Sequence, residues 1–290
     1  MHYIEVGKEN NATIDLHYQD YGSGKPVVLL HGWPLSEASW DAQIPVLLSS
    51  GYRVIAYGRR GFGESSKPAE GYNYDTFAED LHKVITKLDL KDITLVGFSM
   101  GTGEVARYIS TYGSERIEKA VFIAGILPAL LKAENNPDGI EKKVFDEMIR
   151  KCIEDRPGFM HKFLEDFYSH GIVGSKAVSD EMIRYSWTLA MQASGMATVK
   201  CIDSWGEDFR DDIRKIDVPS LVIHGSGDKI TPLNVCGRRL KDMLPGCEYL
   251  EIDGGPHGLL ASHAEEVNAA LVKFLSLAPK RPYSQSEMRH

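Results

Sequence analysis

Gly97-Phe98-Ser99-Met100-Gly101 places a small polar residue between two glycines, where the apolar run ITLVGFS gives way to the helical spacing of GEVARYISTYG. A serine there packs nothing, but on a sharp strand-to-helix turn its hydroxyl stands exposed, and a Cβ on either flank would clash. Capping the helix that begins near Met100 is the plainer role for it. As a nucleophile it needs a base to take its proton, and that base needs a third group to hold its tautomer. In an open parallel sheet both should lie just beyond the carboxyl ends of later strands. LVIHGSGDKITP sets Asp228 immediately past one such strand and YLEIDGGPHGLL sets His257 past the next, in the order serine, acid, histidine. Asp253 is the rival acid, although it ends its own strand. Of the ten histidines, only His257 sits in a glycine- and proline-rich loop at this topological position. His31 and His224 each end a strand before a glycine, and the rest fall in helical patterns, near the termini or on an exposed strand. A developing oxyanion needs two preorganised donors. The backbone N–H of Met100, at a helix start, is the first. The second is that of Trp33, in the loop His31-Gly32-Trp33-Pro34, where Pro34 restricts Trp33 to extended backbone. A tight turn with a packed indole is the plainer reading of that loop.

These residues need strands to carry them. TIDLHYQDYG (13–22) alternates apolar and polar residues and reads as the first, half-exposed antiparallel strand. VVLLHG (27–32) and YRVIAYG (52–58) are continuous apolar runs of the kind found in strands covered on both faces, and ITLVGFS, IEKAVFIAG (117–125), VPSLVIHG (218–225) and EYLEID (248–253) read as further strands. Helical patterns alternate with them: SEASWDAQIPVLLSSG, GYNYDTFAEDLHKVITKLDL with Asp75 near its N-cap, GEVARYISTYG, and a closing HAEEVNAALVKFLSL. That rhythm predicts an α/β fold, with helices on both faces of a mostly parallel sheet. From 127 to 212 it breaks: IEKKVFDEMIRKCIED, PGFMHKFLEDFYSHG and DEMIRYSWTLAMQAS are helical with no buried strand among them. The expected organisation is a core over 1–126 and 213–278, an inserted helical cap over 127–212, and a disordered or added tail over 279–290.

Composition narrows the function further. The 290 residues carry 43% hydrophobic and 26% charged side chains, ordinary for a globular protein with a large core. A formal net charge of −8 argues against nucleic-acid or acidic-membrane binding, which needs excess Lys and Arg, and leaves a small molecule as the expected partner. No signal peptide or membrane-length apolar run is read in the sequence. Cys152, Cys201, Cys236 and Cys247 are widely spaced and read as reduced thiols in a cytoplasmic protein. No metal-ligand spacing such as HExxH occurs, so no metal is expected.

HGWP, RRGFGESS, YDTFAEDL, LVGFSMGTGEVARY, DFRDDIRKIDVP and GGPHGL together resemble the α/β-hydrolase branch of cofactor-free haloperoxidases and aryl esterases, over residues 10 to 276. The resemblance implies an α/β-hydrolase fold and a serine carboxylesterase for small or aryl esters. It also implies a perhydrolase side reaction, in which hydrogen peroxide replaces water and the released peracid oxidises halide with no cofactor. It assigns Ser99, Asp228 and His257 the triad roles and Trp33 and Met100 the oxyanion donors, and it implies a trimer or dimer. Proline after the oxyanion tryptophan, here Pro34, is the haloperoxidase pattern. Lactonase or γ-lactamase activity is the alternative, because a cyclic ester or amide uses the same acyl-enzyme chemistry. A dehalogenase or epoxide hydrolase would need an aspartate where Ser99 stands. A hydrolase fold without catalysis, kept as a binding module, is the reading from another class. Two positions depart from the family pattern. Gly58 stands where relatives have Asp in YDRRG, so a buried carboxylate near Arg59, Arg60 and the histidine loop is expected to be missing. Thr102 replaces a common glycine and, in the helix's first turn, is expected to matter little.

Overall fold

The computed structural model describes residues 2–171 and 178–278; the expected tail over 279–290 lies outside them. The apolar runs form eight strands: β1 (His2–Glu9), β2 (Ala12–Tyr21), β3 (Pro26–Leu30), β4 (Arg53–Tyr57), β5 (Ile93–Phe98), β6 (Ile117–Ile123), β7 (Ser220–Gly225) and β8 (Glu248–Ile252). They lie side by side in one sheet in the order β1-β2-β4-β3-β5-β6-β7-β8. The six from β4 to β8 in that order run parallel, and β2 and β1 close one edge antiparallel. Every residue of β5 and β7 is buried. Since successive side chains point to opposite faces, both faces of the sheet are covered there.

Strand β1 is absent from the sequence reading. Its burial alternates only through Ile4 and Val6, and a register shift between Glu5 and Gly7 breaks the period. The reading of 36–51 as one helix also needs correction. Ser36 caps a 3-10 turn over Glu37–Trp40, and α1 (Ile44–Ser49) starts afresh with a proline in its first turn. In α2 (Tyr74–Lys87) the cap is Asn73, whose side chain accepts from Thr76 N–H at 3.0 Å; Asp75 sits inside the first turn, where the helix dipole favours it. Helix α3 (Met100–Tyr112) follows β5 directly.

Between β6 and β7 the described residues form α4 (Lys142–Phe167), α5 (Asp180–Gln192), α6 (Gly195–Ser204) and α7 (Arg210–Ile213) and add no strand to the sheet. The two helical patterns read over 140–171 are the two segments of α4, which meet at Asp155, where an extended backbone (φ −152°, ψ 79°) interrupts the helix because Pro157 cannot continue the hydrogen-bond ladder. Asp155 Oδ1 accepts from Gly158 N–H at 3.0 Å and restarts it as a cap would. The sequence reading missed α6, which is short. Beyond β7 come α8 (Gly237–Met243), α9 (Leu259–Ser262) and α10 (Ala264–Ser276). No helix of the described residues is long and apolar enough to cross a membrane.

At the centre of the sheet, β3 and α3 approach so closely that a Cβ at Gly101 would stand 2.3 Å from Leu30 O. Neither backbone can yield without breaking the sheet or the helix. Gly101→Ala is therefore expected to cost about 3 kcal/mol or more and to lower the thermal midpoint by about 6 °C or more. Gly195, with open space around its Cβ position in α6, is the contrast: Gly195→Ala should be neutral or stabilise by a few tenths of a kcal/mol. Thermal unfolding of the two variants against the wild type checks both.

Candidate active site

Strand β5 delivers the chain to Ser99 at φ 52° and ψ −119°, a conformation L-residues rarely adopt. The turn is held from both sides. Ser99 N–H donates to Ile123 O on the neighbouring strand at 2.9 Å, and Ser99 O accepts from Thr102 N–H at 3.0 Å. A Cβ at Gly97 would meet Gly101 O at 2.6 Å, so the flanking glycines are a steric requirement of the turn. Thr102 is more important than expected. Fully buried, it donates its hydroxyl to Ser99 O at 2.6 Å and accepts from Ile126 N–H at 3.3 Å, which ties the turn to the segment after β6.

Ser99 occupies the N-cap position of α3, but its hydroxyl caps nothing. It lies 2.8 Å from His257 Nε2, and His257 Nδ1 lies 2.7 Å from Asp228 Oδ2. All three side chains are buried. Asp228 sits just past β7 and is saturated with donors: Oδ1 accepts from Ile230 N–H (2.9 Å) and Thr231 N–H (2.8 Å), and Oδ2 accepts from Thr231 Oγ1 (2.9 Å) as well as His257. Burial alone would push its carboxyl up, but the His257 charge, hydrogen bonds from His224 and His257, and the His224 charge hold it below the ordinary carboxylate value. The rival, Asp253, accepts from Ser226 Oγ at 3.2 Å on the exposed side of the sheet end and takes no part.

His31 and His224 are structural in their contacts. His31 Nε2 accepts from Arg59 N–H at 3.0 Å, and its Nδ1 lies 2.9 Å from Gly32 O. His224 Nε2 lies 2.7 Å from Thr231 O and 3.4 Å from Asp228 Oδ2. The two expected oxyanion donors flank the serine. A Cβ on Gly32 would come within 2.9 Å of Ser99 Cβ, so the loop carrying Trp33 lies against the turn. Among the described residues neither Trp33 N–H nor Met100 N–H has a backbone acceptor. The packed indole is also present: Trp33 Nε1 donates to Thr198 O at 3.1 Å, and its ring stands edge-on to Phe163 and Trp205, with centroids 4.9 Å away.

The carboxylate expected to be missing beside Gly58 comes from elsewhere in the chain. A Cβ at Gly58 would stand 2.6 Å from Glu37 Oε2, so the buried Glu37 side chain fills that space. Its other oxygen is 2.7 Å from His17 Nδ1. Arg59 and Arg60 have buried carboxylates of their own, Glu104 and Asp80.

A cavity of about 490 Å³ opens onto Ser99 and Trp33. Phe145, Phe163 and Ile230 are among its lining side chains. Phe98 and Phe167 pack on the His257 ring at centroid distances of 5.4 and 4.9 Å. The remaining wall is mostly one face of α4, with Val144, Met148, Lys151, Asp155, Phe159 and Phe163 recurring at helical spacing. Trp205 and Ile126 are brought to the cavity by tertiary packing.

Residues 25–264 match the family model described as the alpha/beta hydrolase fold. A Synechocystis protein provisionally named a non-heme chloroperoxidase is 50% identical over 275 residues, 95% of this chain and 100% of its own. The bifunctional esterase/perhydrolase of Acinetobacter calcoaceticus is 34% identical over 90% of this chain and 96% of its own. The crystal structure of a bromoperoxidase from Bacillus anthracis superposes with a TM-score of 0.92 at 46% identity, covering 95% of this chain and 99% of that one.

The depressed carboxyl of Asp228 has a consequence for acid stability. Its folded value lies below its ordinary 3.8, so the charged form stabilises the fold above pH 4, and that contribution is lost as pH falls through 3.8 toward the folded value. Asp228→Asn removes this titration. Its unfolding free energy should therefore vary less with pH below 4 than that of the wild type, as read by urea unfolding across pH 2.5–5.

Proposed function

Because this chain belongs to the α/β-hydrolase family, in the branch of the non-heme haloperoxidases and related esterases, we propose that it is a serine carboxylesterase for small or aryl esters with a perhydrolase side activity. One observation carries the reading: a single buried imidazole bridges Ser99 Oγ at 2.8 Å and Asp228 at 2.7 Å. In this reading Ser99 is the nucleophile, His257 the general base, Asp228 its orienting acid, and Trp33 and Met100 the oxyanion donors.

Asp228 accepts a proton-bearing Nδ1, which leaves the Nε2 lone pair for the serine. Ser99 Oγ attacks the ester carbonyl carbon as its proton passes to Nε2. The carbonyl oxygen takes the negative charge between the two backbone N–H groups. The tetrahedral intermediate collapses, the C–O bond to the alcohol breaks, and Nε2 returns the proton to the leaving oxygen. Water then attacks the acyl-enzyme with the same base and releases acid and serine. Hydrogen peroxide in place of water releases a peracid, which oxidises halide to hypohalous acid and becomes the carboxylate. No step requires a group beyond the chain and its substrates. A cyclic ester or amide would open by the same first step, so lactones and lactams belong among the substrates tested. The helical segment 127–212 acts as a cap that shapes the pocket over a core of 1–126 and 213–278. A trimer or dimer with a cytoplasmic setting belongs to the same proposal.

Ser99→Ala should lower kcat on p-nitrophenyl esters by roughly four to six orders of magnitude while the protein remains folded. A fluorophosphonate should label the wild type stoichiometrically and the variant not at all. Peroxide with bromide should give bromination that the same substitution removes. A folded wild type that no fluorophosphonate labels would make the chain a binding module instead. Hydrolysis of lactones in preference to every linear ester would favour the lactonase alternative.

A further inference from the structure

We propose that the buried ion pair of Arg59 and Glu104 is a positioning device that sets the two halves of the oxyanion hole against each other; this rests on the triad reading above. The two halves come from different parts of the chain, the loop after β3 (Trp33) and the start of α3 (Met100). Their N–H groups must converge on one oxygen, and an error of a fraction of an ångström weakens the contact. Arg59, just past β4, touches both. Its Nε and Nη2 donate to Glu104 Oε2 at 2.8 and 2.6 Å, and Glu104 lies on α3, the helix that Met100 begins. The same Nη2 also donates to His31 O at 3.0 Å, two residues before Trp33. The Arg59 backbone N–H donates to the His31 ring at 3.0 Å, and the other ring nitrogen faces Gly32 O at 2.9 Å. One residue therefore holds the loop twice, its guanidinium on the His31 carbonyl and its backbone N–H on the His31 ring, whose other nitrogen faces the next carbonyl. Burial first, and then the Arg59 charge, keep His31 well below its ordinary value, so the ring stays neutral and retains the lone pair that this arrangement requires.

The Arg59 and Glu104 side chains are 1% and 0% exposed. Tyr57 donates to the second Glu104 oxygen, and Phe77 lies under the guanidinium at 5.2 Å. Desolvating such a pair is costly, and apolar residues of equal volume would often stabilise the core as well. Geometric specificity is the physical return. The loop has little freedom once it is held: a Cβ at Gly101 would meet Leu30 O and His31 O, so the His31 carbonyl that Arg59 anchors already lies against the first turn of α3. The adjacent residue offers a control. Arg60 makes a buried pair with Asp80, 8% and 1% exposed, with both contacts at 2.7 Å, and among the described residues makes no hydrogen bond to the loop after β3.

The test compares Arg59→Lys with Arg60→Lys in the full chain. A lysine at 59 keeps the charge but cannot serve Glu104 and His31 O with a rigid fork. Arg59→Lys should lower kcat by about ten- to a hundredfold with KM within about twofold. It should also weaken a trifluoromethyl ketone, which forms the tetrahedral oxyanion adduct on Ser99, by the same factor. The pH midpoint of kcat/KM should stay in place, because the acid limb of the triad is untouched. Arg60→Lys should retain kcat within about twofold at a similar loss of thermal midpoint. Glu104→Gln, which keeps an acceptor for Arg59 and Tyr57, provides the same readout if Arg59→Lys does not fold, and should fall between it and the wild type. Equal losses of kcat in the Arg59 and Arg60 variants, or full kcat in a folded Arg59→Lys, would overturn the inference. A wild type that is labelled by fluorophosphonate while Arg59→Lys keeps full kcat removes only this inference; an unlabelled wild type removes the triad reading and the inference with it.

Discussion

A non-glycine residue at φ 52° and ψ −119° lies outside the favoured backbone regions and costs on the order of 1–3 kcal/mol, so Ser99 can hold it only where its neighbours leave no alternative. They supply that constraint by contact. Gly97, Gly101 and Gly32 admit backbone where any Cβ would collide, and β6 and Thr102 take the hydrogen bonds of Ser99 N–H and O. The strain has a directional result. A serine in ordinary N-cap geometry would turn its oxygen onto the helix; at this turn the oxygen points away from α3 and toward the ends of later strands. The acid and base are useful only because of that orientation.

The same close approach organises the opposite side. His257 is held by more than its hydrogen bonds to Ser99 and Asp228: Phe98 from the end of β5 and Phe167 from the end of α4 flank its ring, and Gly258 N–H donates to Phe167 O at 2.9 Å. The long helix above the sheet is thus fastened to the histidine loop at one end while its middle forms the cavity wall. Removal of water from this region strengthens each charged hydrogen bond. It also makes Asp228 dependent on its full set of donors, since a buried carboxylate lacking them would protonate.

What the sequence disclosed follows from the range of each interaction. Ser99, Asp228 and His257 were legible because each lies within a few residues past the carboxyl end of a strand, and the order of strands in the chain gives the order of the residues. Five of the six parallel strands are buried along most of their length, whereas β8 at the edge is only partly covered. Strand β1 was not legible, because an edge strand buries one face and a bulge interrupts its alternation. Neither was the role of Glu37, distant from Gly58 in sequence and adjacent to it in space. Thr102 was misjudged for the same reason. Its position in a helix's first turn is visible locally, whereas its bonds to Ser99 O and Ile126 N–H exist only once β5 and β6 are paired.

The cavity bears on why one site could serve two acceptors of the acyl group. Its walls near Ser99 are aliphatic and aromatic, including Ile126, Leu130, Phe163 and Trp205, and offer an incoming nucleophile few hydrogen bonds. On the proposed mechanism the main polar guide for that molecule is His257 Nε2, the base that must take its proton. Water and hydrogen peroxide are alike in size and both present an O–H to that nitrogen, so a site that orients its nucleophile through one contact has little means of rejecting the second. Discrimination then passes to intrinsic reactivity and local concentration. The charged side chains lining the cavity include three lysines, Lys151, Lys162 and Lys229, and three acids, Glu154, Asp155 and Asp166. With the two signs balanced, this lining exerts no strong net attraction on an ionic substrate. An uncharged ester with an apolar body fits that balance, since its burial against the α4 face contributes binding while the reacting carbonyl remains the only group that must find donors.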